Sequence, residues 1–279
     1  MTKVMINAVK KYPSLVITPG VVFLIAAVFN RLVPVMAMII GVVNMTGGDF
    51  FDSVLAILQM MTDLQNIPLI LIVVAALAIL LSVLTGLILP GYLLAASDAL
   101  EKGTRKKGLI LEGIKKYFLR FFLMTIAVVI SAVVLLLFLL VAIVPAIVMT
   151  RVAFSSSPEL LVAAIFIDIM TIGVVFAGLS FFSVYTYMWY IASLTKVKKP
   201  FKLGKEIADC RFWNIVLGLF IFDVIFAVGF FIIYMAGIQI IRYAAGWIFA
   251  TAFFTALALY LVKFFKDNLS EGTFLKKVN

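Results

Sequence analysis

Apolar residues run through this chain in long unbroken stretches, with little alternation between apolar and polar positions. Six such stretches stand out, at roughly 14–43, 67–97, 118–149, 160–194, 213–236 and 243–262. A helix needs about twenty apolar residues to cross about 30 Å of hydrocarbon, and each stretch meets that length. Barrel strands would read as alternating segments of about ten residues. The run from Phe118 to Thr150, broken by no charge except Arg120 near its start, does not read that way. Inside lipid every backbone N–H and C=O must be paired within the protein. The pattern therefore predicts an all-α integral membrane protein with six transmembrane helices. The first and third stretches exceed one straight crossing. Pro34 and Pro145 fall late in them, where a kink or a turn would take up the surplus, and Pro90 is expected to bend the second span.

Charge then orients the spans. Of the 23 basic residues, all but Arg31, Arg151 and Arg242 fall on one side of a six-span arrangement. They occupy the N-terminal segment with Lys3, Lys10 and Lys11, the loop near 98–120 with Arg105, Lys106, Lys107, Lys115 and Lys116, the loop near 195–212 with Lys198, Lys199, Lys202 and Lys205, and the tail after Leu261. Loops rich in Lys and Arg stay cytoplasmic, so both termini are expected inside, in a multi-pass protein of the cell membrane. The apolar stretch behind the basic N-terminus is long and carries no small-residue cleavage pattern before Arg31, which predicts a retained span. The first outer connection, about 44–66, carries Asp49, Asp52 and Asp63 and no Lys or Arg. Asp49 can cap a short helix with Phe50, Phe51, Val54, Leu55, Leu58 and Met61 on one face, so an amphipathic helix in the outer interface is expected there, with an ordered loop as the alternative.

Composition sharpens the picture mainly by exclusion. The chain is 65% hydrophobic and 13% charged, with a mean hydropathy of +1.24, too apolar for a water-soluble surface. It holds no histidine and one cysteine, Cys210, which removes most zinc sites, His-based triads and thiolate catalysis. No phosphate-cradling glycine loop, metal-ligand spacing or nucleophile elbow is present. No cofactor, metal or catalytic residue is expected, and the chain reads as non-enzymatic. The net charge of +10 follows from basic inner loops and calls for no nucleic acid.

The chain also repeats itself. Segment 98–107, DALEKGTRKK, and segment 267–276, DNLSEGTFLK, agree at five of ten positions without a gap. The sequences AVKKY at 8–12, GIKKY at 113–117 and, more weakly, ADCRF at 208–212 lead into the first, third and fifth spans. The spacing from Tyr92 to Tyr117 equals that from Tyr187 to Phe212. These correspondences predict three parallel helical hairpins, about 1–103, 104–200 and 201–279, within one membrane domain covering 1–279. Each would open with a short basic amphipathic helix on the cytoplasmic side, and the three would pack round a pseudo-threefold axis. The alternative is chance similarity among compositionally biased segments.

A hairpin ending in Leu100-Glu101-Lys102-Gly103-Thr104, followed by a short helix and the basic-aromatic Ile114-Lys115-Lys116-Tyr117, resembles the membrane domain found beside some bacterial glycerophosphodiester phosphodiesterases. It is similar also to related six-span prokaryotic membrane proteins. Nothing outside the spans is long enough to form a soluble phosphodiesterase domain, so the resemblance implies an architecture without an activity.

Ionisable residues within spans are costly and mark candidate sites. Asp223 lies about 16 Å beyond Phe212 by helical rise, near the midplane, and Asp168 about 12 Å below the outer boundary. Facing one another they would form a cation or proton site; the alternative is that each is protonated and hydrogen-bonded within the bundle. Arg31, Arg151 and Arg242 would form an outer anion or headgroup site if they converge, and three separate anchors if they do not. Lys10, Lys11, Arg105, Lys106, Lys107, Lys115, Lys116, Lys198, Lys199, Lys202 and Lys205 are expected against anionic headgroups, at about 1 kcal/mol each. Gly86, Gly91, Gly173 and Gly178 are candidates for close helix approach. Two functions remain open: a scaffold or accessory, permease-like subunit with a membrane protein partner, and an autonomous carrier of a small solute, ion or lipid using Asp168 and Asp223.

Overall fold

The structure is a computed structural model and describes residues 2–32, 63, 65–101, 106–155, 158–195, 197, 199–235 and 237–270. The elements among them are all helical: α1 (Thr2–Lys11), α2 (Ser14–Leu32), α3 (Ile67–Ala99), α4 (Leu109–Ser155), α5 (Leu161–Ala192) behind the 3-10 turn Pro158–Leu160, α6 (Pro200–Tyr234) and α7 (Gln239–Ser270). Five of these, α3 to α7, are long and apolar enough to cross a membrane, the signature of a multi-pass membrane protein. The first predicted span begins as α2, whose apolar helix is shorter over Ser14–Val28. The remainder of 14–43, with Pro34, and the predicted interfacial helix of Asp49 to Met61 lie outside the described residues.

The basic segments that lead into α2, α4 and the apolar part of α6 differ from one another. Between α1 and α2 the helix breaks at Tyr12, because the residue before a proline, here Pro13, avoids the α region. At 113–117 there is no break, and the basic segment runs straight on into α4, which is 47 residues long. At 1.5 Å per residue that is about 70 Å, more than twice the thickness of hydrocarbon, so this helix is longer than one crossing needs. In α6 the backbone leaves helical geometry at Arg211 (φ −123°, ψ 21°), next to the predicted boundary at Phe212. Helix continues through Pro90 and Pro145. The turn considered at Pro145 does not form, and the surplus length is carried as additional helix as far as Ser155.

The chain divides into two compact units, Met1–Arg31 with Ser82–Met124 and Val184–Asn279, and Leu32–Leu81 with Thr125–Ser183. Within the first unit each helix meets the next in a closed sequence. Tyr12, between α1 and α2, bonds Asp98 of α3. A Cβ on Gly113 of α4 would meet the Gly91 Cα of α3 at 2.8 Å and the Pro90 carbonyl at 2.9 Å. Phe121 of α4 packs on Tyr190 of α5 with ring centroids 5.6 Å apart. Gly204 of α6 lies against the Met188 carbonyl and Trp189 ring of α5. Phe222 and Phe226 of α6 pack on Phe253 of α7.

The sequence closes between α7 and α2. Pro19 has no N–H and frees the carbonyl of Leu15 four residues back, and Thr255 Oγ1 of α7 donates to that carbonyl at 3.0 Å. Trp247 Nε1 donates to the carbonyl of Gly20 at 2.8 Å, where a Cβ would stand 3.2 Å from the Trp247 ring. In the second unit Gly178 of α5 admits Leu135 of α4, whereas a Cβ on Gly173 would meet nothing within 4 Å, so Gly173 is not a close-approach position.

Gly→Ala inside a helix ordinarily stabilises by up to about 1 kcal/mol. At Gly113 the added methyl meets backbone that cannot swing aside. Gly113→Ala is therefore expected to lower the unfolding temperature of the detergent-purified protein, and Gly173→Ala to leave it unchanged or raise it. Equal behaviour of the two variants in a thermal melt would contradict the packing described for α3 and α4.

Candidate functional site

The basic residues separate into two populations. At the end of the first hairpin Asp98 is 7% exposed and gathers its neighbours. The Tyr12 hydroxyl donates to Asp98 Oδ2 at 2.7 Å, Lys11 Nζ lies 3.1 Å from the same oxygen, and Lys106 Nζ lies 3.3 Å from Oδ1. Lys11 Nζ also donates to the Asp98 carbonyl at 2.7 Å and the Glu101 carbonyl at 3.2 Å. The Tyr12 oxygen accepts the Lys106 N–H at 2.8 Å. Lys266 of α7 donates to the Ser97 carbonyl at 2.6 Å and to Glu101 Oε1 at 2.7 Å, which ties the end of α7 to the end of α3. Arg120 Nη1 of α4 donates to the Ser193 and Thr195 carbonyls at 2.9 and 3.3 Å. Arg211 Nε of α6 donates to Asn268 Oδ1 of α7 at 3.0 Å. Lys11, Arg120 and Arg211 are thus each bonded to a segment that ends a later helix, α3, α5 and α7 respectively.

Lys10, Lys106, Lys107, Lys115, Lys116, Lys199, Lys202 and Lys205 form the second population, and all are exposed. Among them Lys106 reaches Asp98, and Lys202 pairs with Glu206 at 3.9 Å. Lys11, expected among the headgroup contacts, differs from these: its side chain is 16% exposed and occupied by Asp98. Arg105 and Lys198 lie outside the described residues.

The intramembrane acids have different surroundings. Asp168 on α5 accepts hydrogen bonds from Thr150 Oγ1 of α4 at 3.1 and 3.0 Å, inside the second unit. Asp223 on α6 belongs to the first unit, is exposed, and makes no hydrogen bond or ion pair among the described residues. Tyr187 of α5 lies within electrostatic range of it. Of the three outer arginines, Arg242 stacks over the Tyr234 ring at 4.8 Å across the α6–α7 turn, as an anchor would. Arg151 is half-buried on α4 in the second unit, and the Arg31 side chain lies outside the described residues. No group of three or more His, Cys, Asp or Glu among the described residues could hold a metal ion.

The aromatics clustered from Phe181 to Tyr190 fit an interfacial belt by sequence, yet several pack against neighbouring helices. Tyr185 donates to Asp209 of α6, Trp189 packs edge-on against Phe201, and Tyr190 is 8% exposed against Phe121. Tyr187 lines a half-open cavity of about 240 Å³ between α3, α5 and α7, together with Tyr92, Leu89, Leu257, Ala258 and Leu261. The missed signal was positional. Tyr187 precedes Ser193 by the same interval at which Tyr92 precedes Asp98 and Leu261 precedes Asp267.

No family model matches the chain, and neither curated proteins nor solved structures yield a match.

Removing one partner of a buried ion pair strands the other, at a cost of about 3–5 kcal/mol. Lys11→Met is expected to destabilise the protein strongly, whereas the double variant Lys11→Met/Asp98→Asn, which keeps an acceptor for Tyr12, should recover part of the loss. A thermal-melt cycle in which the two substitutions add without coupling would show that the pair does not hold the hairpin.

Proposed function

We propose that this chain is a six-span, non-enzymatic membrane protein that serves as a scaffold or accessory, permease-like subunit, holding anionic lipid headgroups and a membrane protein partner at its basic end. The observation that carries this reading is the division of the cations. Lys11, Arg120 and Arg211 are directed onto the hairpin ends. Lys10, Lys107, Lys115, Lys116, Lys199 and Lys205 are left exposed around them. A rigid end ringed with ammonium groups suits phosphate-rich surfaces, each charge contributing about 1 kcal/mol near anionic lipid. In this reading that end is cytoplasmic, with both termini, in the cell membrane.

The sixth span is the first stretch, which starts as α2 and is bonded to α7 within the same ring. Three observations support three repeated hairpins. Ala8, Gly113 and Ala208, aligned by the lead-in sequences, are all buried small residues. Each hairpin has a cation-to-end bond, Arg120 standing one helical turn beyond Lys116, the position that matches Lys11 and Arg211. Tyr92, Tyr187 and Leu261, in register by the same alignment, line one cavity. The resemblance to the membrane domain beside glycerophosphodiester phosphodiesterases is accordingly read as one of architecture.

Asp223 favours a second reading. An unpaired carboxylate within a span costs about 2.5–3.5 kcal/mol, and its position within electrostatic range of cavity-lining Tyr187 fits a carrier for an ion or small solute. Asp168, bonded to Thr150, fits the structural role.

Mass spectrometry of the protein purified from its native membrane in mild detergent separates the two. The scaffold reading expects a stoichiometric protein partner and enriched anionic phospholipid, with the lipid enrichment reduced in Lys115→Glu/Lys116→Glu. Absence of both, together with loss of ion-dependent thermal stabilisation in Asp223→Asn, would replace it with the carrier.

A further inference from the structure

The cavity between α3, α5 and α7 has a chemistry of its own. Among the described residues no Lys, Arg, Asp or Glu lines it, and the polar side-chain groups of the lining are the phenols of Tyr92, Tyr187 and Tyr190. Tyr92 is 8% exposed, and its hydroxyl, buried beside Thr255, completes no hydrogen bond of normal geometry. Thr255 gives its own proton to the Leu15 and Thr251 carbonyls. The Tyr187 hydroxyl likewise has no hydrogen-bond partner among the described residues. Donors left unmade beside an apolar wall cost stability, and an acceptor brought in by a guest would relieve that cost. Space is sufficient: an engineered apolar cavity of about 150 Å³ takes up benzene, and this one measures about 240 Å³.

Depth narrows the guest further. Tyr92 and Tyr187 stand about 9 Å along their helices from Asp98 and Ser193, at 1.5 Å per residue. That places them just inside the hydrocarbon, where the ester carbonyls of glycerolipids and the heads of membrane-soluble ketones and quinones both reside. We infer that this cavity binds a neutral, mainly apolar molecule of one- or two-ring bulk through a carbonyl oxygen held by the hydroxyls of Tyr92 and Tyr187. Leu89, Leu257, Ala258 and Leu261 belong to the apolar remainder of the wall.

Benzophenone is a suitable probe, being neutral, two-ringed, endowed with a single carbonyl and photo-crosslinkable. Irradiation of the purified full-length protein with increasing benzophenone should label peptides covering 89–93, 187–191 and 254–261 saturably. The double variant Tyr92→Phe/Tyr187→Phe removes only the two hydroxyl oxygens and should raise the half-saturating concentration by about tenfold. Ala258→Phe fills the cavity and should abolish saturable labelling; if that variant does not fold, the hydroxyl-deleted protein carries the test alone. Native mass spectrometry during the titration identifies the source. Displacement of a phospholipid marks a lipid ester as the resident guest, and release of a small neutral carbonyl compound marks a free one; either supports the site. Labelling that never saturates, or that is unchanged in the hydroxyl-deleted protein, overturns it. The readout uses the isolated chain, so it stands or falls independently of any protein partner.

Discussion

A carbonyl in hydrocarbon has no water to turn to, and a proline in a spanning helix creates such a carbonyl. The join between the two ends of this chain answers that constraint. Pro19 frees the Leu15 carbonyl, and the only way to satisfy it without water is a donor from a neighbouring helix, which Thr255 supplies. Trp247 adds a second donor one turn along, and Gly20 is small enough to let its ring approach. Two directional bonds thereby draw α2 onto α7. Because α7 already packs on α6 through Phe253, Phe222 and Phe226, that join brings α2 to the α6–α7 pair. The cavity follows from the closure: once the ring is shut, α3, α5 and α7 surround a common space that none of them fills.

The polar end of the same unit obeys a related rule. Helices end with unsatisfied carbonyls, and here the carbonyls of Ser97, Asp98, Glu101, Ser193 and Thr195 receive lysine or arginine donors. A buried pair such as Lys11 and Asp98 adds little net stability relative to an apolar pair of equal volume. Its effect is on register: a hairpin slipped by one residue would strand Asp98 without Lys11, Tyr12 or Lys106. Lys10, Lys107, Lys115, Lys116, Lys199 and Lys205 stay exposed, and in the proposed function they are the ones that meet headgroups or a partner.

Hydropathy alone located α3 to α7, because spans this long and this apolar have no competing solution in lipid. The ends of the helices were less legible. Continuity of α4 through Lys115 and Lys116, against the break at Tyr12, turns on one residue, Pro13. Lys11, Arg120 and Arg211 read identically to their exposed neighbours, since a charge pattern reports which side a residue is on and not which way its side chain turns. Asp168 and Asp223 likewise looked equivalent by depth. What separates them is helix rotation, which places Thr150 against one and nothing described against the other. Gly173 and Gly178 differ for the same reason. Rotation is weakly encoded in a span that is apolar all round, where no amphipathic stripe marks the buried side.

In the proposed three-hairpin plan, the departures are the informative positions. Leu261 stands as far before Asp267 as Tyr92 stands before Asp98, and the cavity lining joins the phenols of Tyr92, Tyr187 and Tyr190 to an otherwise apolar wall. A strictly threefold site would present three equal donors and suit a guest on the axis, such as a small ion in a ring of oxygens. Phenols gathered on α3 and α5 against the apolar side chains of α7 favour a guest that is itself lopsided, polar at one edge and greasy at the other. The uncharged wall adds a second restriction, because burying an ion there without a counter-charge would cost far more than two phenols can return. Asp223, the one carboxylate within electrostatic range of Tyr187, does not line that wall and is exposed on α6. Its carboxyl stands outside the cavity lining, so among the described residues the wall itself carries no charge.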